Sequence, residues 1–188
     1  MAWNQVRWTE AHQIVSAMGD PDATLPDPGI APEQHYRATR DGGDRLAAVR
    51  FLGHALPRFE ALAWAARVLD EQAASTPLTR ADRQALEHSL RWLGEPTDAA
   101  RRAAMDAADA AGERAPERML ATAVFFSGGS ISAPDLPPVM PAPELAGRLA
   151  AVAVTLAAAR AGDGVAVLDR ALDLGERVAA DGVEALAA

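Results

Sequence analysis

The chain has no cysteine. That excludes disulfides, thiolate metal sites and thiol nucleophiles. It also has no lysine, so its basic charge is carried by arginine alone. Tyrosine occurs once and β-branched residues are sparse, which argues against a sheet. Long apolar runs are missing too. The charge-free helical run 149–159 falls far short of the ~20 residues that span a bilayer, so no membrane insertion is expected. The first residues lack the apolar core of a secretory signal, and a cytoplasmic location is expected. A formal net charge of −8 repels phosphate backbones and speaks against nucleic acid as a partner. No two of His12, His35, His54 and His88 stand three or four residues apart, and there is no His-Glu-x-x-His. No metal, cofactor or catalytic constellation is expected from the residues.

What is present is alanine, at roughly a quarter of 188 residues. It is the best helix former and lets helices approach closely. Apolar residues recur at helical spacing along most of the chain, so the expected fold is all-α: an irregular bundle of six or seven helices with a proline-rich crossing strap. Residues 1–43 read as an N-terminal arm and loop, 44–182 as the helical domain and 183–188 as a tail that frays. Thr9, Asp44, Thr79, Thr97 and Asp163 are expected N-caps, and Pro116 opens a helix. Leu46, Val49, Gly53 and Leu56 are expected inside. So are Leu86, Leu90 and Leu93, and Val165, Leu168, Leu172 and Val178. Asp173 and Arg177 are spaced as an outward ion pair. The helix over 145–161 is apolar on every side and is expected to be sealed at the centre.

The candidate interaction or pocket residues are Trp3, Trp8, His54, Trp64, Ser127 and Ser130. Trp3 and Trp8 stand in a short arm and need somewhere to bury; packing back on their own domain is expected, and docking on a partner or a second copy is the alternative. Ser127-Gly128-Gly129-Ser130 is glycine-rich but follows a helix C-terminus. The dipole sign there is wrong for a phosphate cradle, and a left-handed C-cap is expected of Gly128 or Gly129. The strap holds Leu136-Pro137-Pro138-Val139-Met140-Pro141. It can pack across its own bundle through Ile131, Leu136, Val139 and Met140, which is the expected outcome, or offer a polyproline segment to an aromatic groove. Arg101-Arg102, flanked by Asp98 and Asp106, reads as a solvated helix face.

Two stretches resemble a known family. One is Phe51-Leu52-Gly53-His54-Ala55-Leu56-Pro57-Arg58-Phe59-Glu60-Ala61-Leu62-Ala63-Trp64-Ala65. The other is Phe125-Phe126-Ser127-Gly128-Gly129-Ser130, continuing through Leu136-Pro137-Pro138-Val139. Together they resemble a family of uncharacterised all-helical bacterial proteins, a domain of unknown function with ALPxxEAxxWA and FxSGGS…LPPV motifs. The resemblance covers residues from about 44 to 162 and implies an association with type VI secretion genes, but no catalytic residues. Phe126 departs from it, standing where the family often has tryptophan. The expected function is a non-enzymatic accessory or adaptor protein that binds another protein, in a secretion apparatus, with a homo-oligomer as a further possibility. The alternative is a helical small-molecule-binding protein or unrecognised hydrolase, with a pocket near His54, Trp64 and the Ser-Gly-Gly-Ser turn.

Overall fold

The structure, a computed structural model, describes residues 2–133 and 135–187; Met1, Pro134 and Ala188 lie outside the described residues. Among the described residues there are nine α-helices and no strand: α1 Ala11–Met18, α2 Pro32–Asp41, α3 Arg45–Ala55, α4 Arg58–Ala73, α5 Arg80–Gly94, α6 Asp98–Ala110, α7 Pro116–Phe125, α8 Leu145–Arg160 and α9 Gly164–Asp181. The expected six or seven was low because short segments count as full helices. Pro32 presets the first turn of α2, which runs for ten residues where one or two turns were expected.

The caps are local chemistry. Asp44, Thr79, Thr97 and Asp163 each accept a hydrogen bond from the amide three residues on, leaving fewer orphan donors at the start of α3, α5, α6 and α9. At α1 the cap is Glu10, not Thr9. Gln13 reaches back to the Glu10 amide and also takes the Thr9 hydroxyl, which removes Thr9 from the capping role.

α8 touches α3, α4, α7 and α9 and is the hub of the bundle. Its buried residues include Ala146, Gly147, Ala150, Ala153, Val154 and Ala157. It is not sealed all round: Val152 and Ala159 open on solvent, so the apolar stripe is wide but has one wet edge. Where α3 crosses α8 the two backbones meet. A Cβ on Gly53 would lie 2.6 Å from the Gly147 carbonyl oxygen, and one on Gly147 would fall onto the carbonyl of Gly53. Only glycine at both positions permits this crossing. At the far end of α8, Arg160 donates two hydrogen bonds, of 2.6 and 2.9 Å, to Glu117 of α7, whose side chain is fully buried. A carboxylate with no solvent exposure requires such a partner.

Several residues face other ways than their spacing implies. Leu46 and Val165 are exposed, each being the second residue of its helix, where the first turn projects beyond its neighbours. On α5 the buried face is Asp82, Ala85, Leu86, Ser89 and Trp92, so Leu90 lies on the rim. Ser89 tolerates burial because its hydroxyl donates to the Ala85 carbonyl at 2.8 Å. Asp173 pairs across to Arg40 of α2, not along its own helix to Arg177. Residues 183–186 form a 3-10 turn packed on α9 and α4 where fraying was expected.

The N-terminal segment is stitched down. The Gln5 amide donates to the Ala179 carbonyl, the Trp3 amide to Glu33 and the Ala11 amide to the Ile30 carbonyl. The Trp3 ring packs tilted, 5.0 Å from that of Tyr36, which is buried and donates to the Leu172 carbonyl.

Candidate functional site

The sequence-named residues fall into four places. Trp3 and Trp64 belong to the core. Trp64 is fully buried on α4, donates to the Ala171 carbonyl at 2.7 Å and lines neither of the cavities described next. Trp8 and His54 share a half-open cavity of about 310 Å³. Ser127 lies at a second cavity of about 320 Å³. Ser130 forms the base of the strap.

The His54 cavity is walled by Trp8, Leu56, Pro57 and Pro143, with Arg7, Arg58 and Glu144 around it and the Gly53–Gly147 crossing beneath. Trp8 is partly exposed and is held by a 3.0 Å bond from its indole N–H to the His54 carbonyl. His54 Nδ1 sits 2.8 Å from the Arg50 carbonyl, which only accepts, so Nδ1 carries the proton. Nε2 is then a bare acceptor. It is cut off from solvent and has no partner among the described residues. Burial lowers the His54 pKa against the raising effect of the Arg50 bond, and Arg148 and Arg50 lower it further. The ring is therefore neutral at pH 7.

The second cavity is built where α7 ends. Phe126 caps α7 in a right-handed turn and the left-handed residue comes three later, at Gly129 (φ 68°). Arginine side chains cover the carbonyls that the helix leaves over. Arg101 Nη1 takes the Phe125 carbonyl at 2.5 Å and Nη2 takes that of Ser130 at 2.7 Å, while Arg58 takes that of Ser127 at 3.0 Å. Arg102 adds bonds to the carbonyls of Ser130 and Ser132. The expectation of a solvated Arg101-Arg102 face is overturned: Arg101 is 4% exposed, lies 4.8 Å over the Phe125 ring and is neutralised by Asp98. Hydrogen bonds from Arg101 and then Arg102 hold the Asp98 carboxyl below its usual range. The missed signal was position. Arg101 shares the face of Ala104 and Ala108, the buried side of α6.

Ser130 is a clamp. Its hydroxyl oxygen accepts from the amides of Ser132 and Val139, both at 3.1 Å, and the Ile131 amide donates to the Val139 carbonyl at 2.9 Å. The strap is thus pinched closed at its neck. Its body is out in water, against the expectation that it packs on the bundle: Leu136, Val139 and Met140 are 58%, 52% and 64% exposed. Neither serine hydroxyl of the turn is bonded to a histidine or carboxylate; that of Ser127 donates to the Val124 carbonyl at 2.7 Å. Among the described residues no three His, Asp or Glu side chains converge as metal ligands, and no helix is long and apolar enough to cross a membrane.

Residues 35–179 match the model of a family of unknown function, DUF6931. The chain belongs to this family. The match takes in both stretches quoted above and runs from α2 nearly to the end of α9. The DUF6931 region contains the whole Ser-Gly-Gly-Ser cavity, whereas Arg7, Trp8 and Ala17 of the His54 cavity come from outside it. No curated protein and no solved structure matches the chain.

Proposed function

We propose that this protein is a non-enzymatic adaptor that binds another protein through its proline strap. The observation that carries this reading is the exposure of Leu136, Val139 and Met140 on a loop whose neck is hydrogen-bonded shut. Three large apolar side chains held in water on an ordered loop favour a partner that covers them. Pro137-Pro138 and the Pro138-x-x-Pro141 spacing fit an aromatic-lined groove, because a polyproline segment loses little entropy when it docks. The family resemblance adds a setting beside bacterial secretion machinery, and a second copy of the chain is the other occupant to consider.

The test is a pull-down from the native host with the full chain and with a Leu136→Ser/Val139→Ser/Met140→Ser variant. A synthetic peptide of residues 133–143 serves as competitor. The reading expects a partner that the variant loses and the peptide displaces. A partner held equally by both proteins and untouched by the peptide would sink it. Light scattering on the purified chain separates a partner from a second copy. The two cavities support the alternative of a small-molecule-binding protein, most concretely at the Ser-Gly-Gly-Ser turn.

A further inference from the structure

We infer that the cavity at the Ser127–Ser130 turn is a binding site for a phosphate group, with Arg58 and the amides of Gly128 and Gly129 as its donors. This goes beyond the adaptor reading and does not depend on it.

The objection from the sequence is electrostatic. A helix C-terminus presents carbonyls and repels anions. In the structure four carbonyls of this turn are already taken by side chains. Phe125 is covered by Arg101, Ser127 by Arg58, Ser130 by Arg101 and Arg102, and Val124 by the Ser127 hydroxyl. Three guanidinium groups converge on one turn and only one carboxylate, Asp98, answers them. In a chain of net charge −8 this is a local positive surplus.

The donors left over point to the ligand. Arg101 is nearly spent: four of its five N–H donors go to Asp98, Phe125 and Ser130. Arg58 is exposed and has one bond, to Ser127, leaving the rest of its fork free. The amides of Gly128 and Gly129 make no hydrogen bond among the described residues, and both residues line the cavity. A Cβ at Gly128 would meet nothing within 4 Å, so the space beside it is open. A Cβ at Gly129 would press on the Arg101 guanidinium at 3.3 Å. Consecutive free amides around a left-handed residue form an anion-binding concavity, and a guanidinium fork matches tetrahedral oxygens. Phe59 and Trp92, 5.9 Å apart, also line the cavity, whose 320 Å³ leaves room for the organic part of a phosphate ester.

The experiment is a titration of the full chain followed by amide chemical shifts. The probes are inorganic phosphate, O-phosphoserine and acetate, at constant ionic strength. Saturable shifts at the Gly128 and Gly129 amides are expected with phosphate and phosphoserine and weaker ones with acetate. Tighter binding of phosphoserine than of inorganic phosphate assigns the site to an ester, and the reverse assigns it to the free ion. Arg58→Gln should raise the phosphate Kd at least tenfold, while Arg7→Gln in the neighbouring cavity should leave it unchanged. Thermal denaturation of Arg58→Gln guards against a merely unfolded turn, and Arg58→Lys should recover part of the affinity. Shifts that appear elsewhere, no saturation, or equal losses in the Arg58 and Arg7 variants would overturn the assignment.

Discussion

Residues 131–144 and α8 adjoin in the chain and look alike in composition. Each is dominated by small or apolar residues, and each carries two charged side chains, Asp135 and Glu144 in the strap and Arg148 and Arg160 in the helix. Yet α8 is the hub of the core, and every described residue of 135–140 is exposed. The difference lies in the backbone. A helix bonds its own amides and carbonyls, so it enters the core without unpaired polar groups. The strap has five prolines, which supply no N–H, and most of its described carbonyls find no donor among the described residues. Burying them would cost about 1–3 kcal/mol for each group left unsatisfied, and these groups outnumber the exposed leucine, valine and methionine, which would return about 1.5–3 kcal/mol each. The strap therefore stays wet, and its leucine, valine and methionine stay with it.

The largest expected effect is at the point where α8 is most tightly held. Gly147→Val places a branched side chain on the Gly53 carbonyl, and only separation of α3 from α8 relieves the overlap. Overpacking usually costs about 1–3 kcal/mol, and a backbone-to-backbone clash belongs above that range. A fall in Tm on the order of 10 °C, or failure to fold, is expected. Pro138→Ala in the strap should leave Tm nearly unchanged. Comparable shifts from the two substitutions would break the contrast.

A matched pair sharpens it. Val154 is fully buried on α8 and Val139 is half exposed on the strap. Val154→Ser loses the transfer energy of its methyl groups and buries a hydroxyl, costing about 2–3 kcal/mol. The same change at Val139 should stay within about 0.5 kcal/mol. Urea denaturation of both variants measures the difference directly. A cost above 1.5 kcal/mol at Val139 would mean that the strap is packed on the bundle after all.

This same distinction explains what was legible in the sequence. Caps, helix stops and most of the apolar stripes are local, and Asp44, Thr97, Gly19 and Gly182 act where their residue types imply. Trp64, expected at a pocket, is instead fully buried in the core. What sequence could not supply was the pairing of distant groups. Nothing local says that Arg58 reaches the Ser127 carbonyl 69 residues away, or that Asp173 prefers Arg40 to the arginine one turn along. The strap was misread for a different reason. Apolar side chains were weighed and the unpaired carbonyls beside them were not. At the candidate site, His54 and Ser127 carry signals in the sequence and each lies at a cavity, whereas Arg101 and Arg102 read as a solvated face.

The smallest expected effect lies beside the α3–α8 crossing and depends on pH. Burial lowers the pKa of His54, and of His35, below the ordinary value of 6.5. Between the folded and unfolded pKa values the unfolded chain binds more protons, so stability rises with pH there. The contribution is fully present above pH 6.5 and is lost as pH falls from 6.5 toward the folded pKa. Glu71, Asp98 and Asp169 have lowered pKa values through their arginine partners, but they lose their contribution only in the carboxylate range further down. Work above pH 5 therefore isolates the histidines. Asparagine can keep the amide donor to the Arg50 carbonyl and cannot titrate, so His54→Asn should flatten the stability profile between pH 7.5 and 5.5, with His35→Asn removing a further part. Urea midpoints at several pH values report the slope. Parallel slopes for the wild-type chain and His54→Asn would show that the Nε2 side reaches water, and the crossing would then be looser than the touching glycine backbones require.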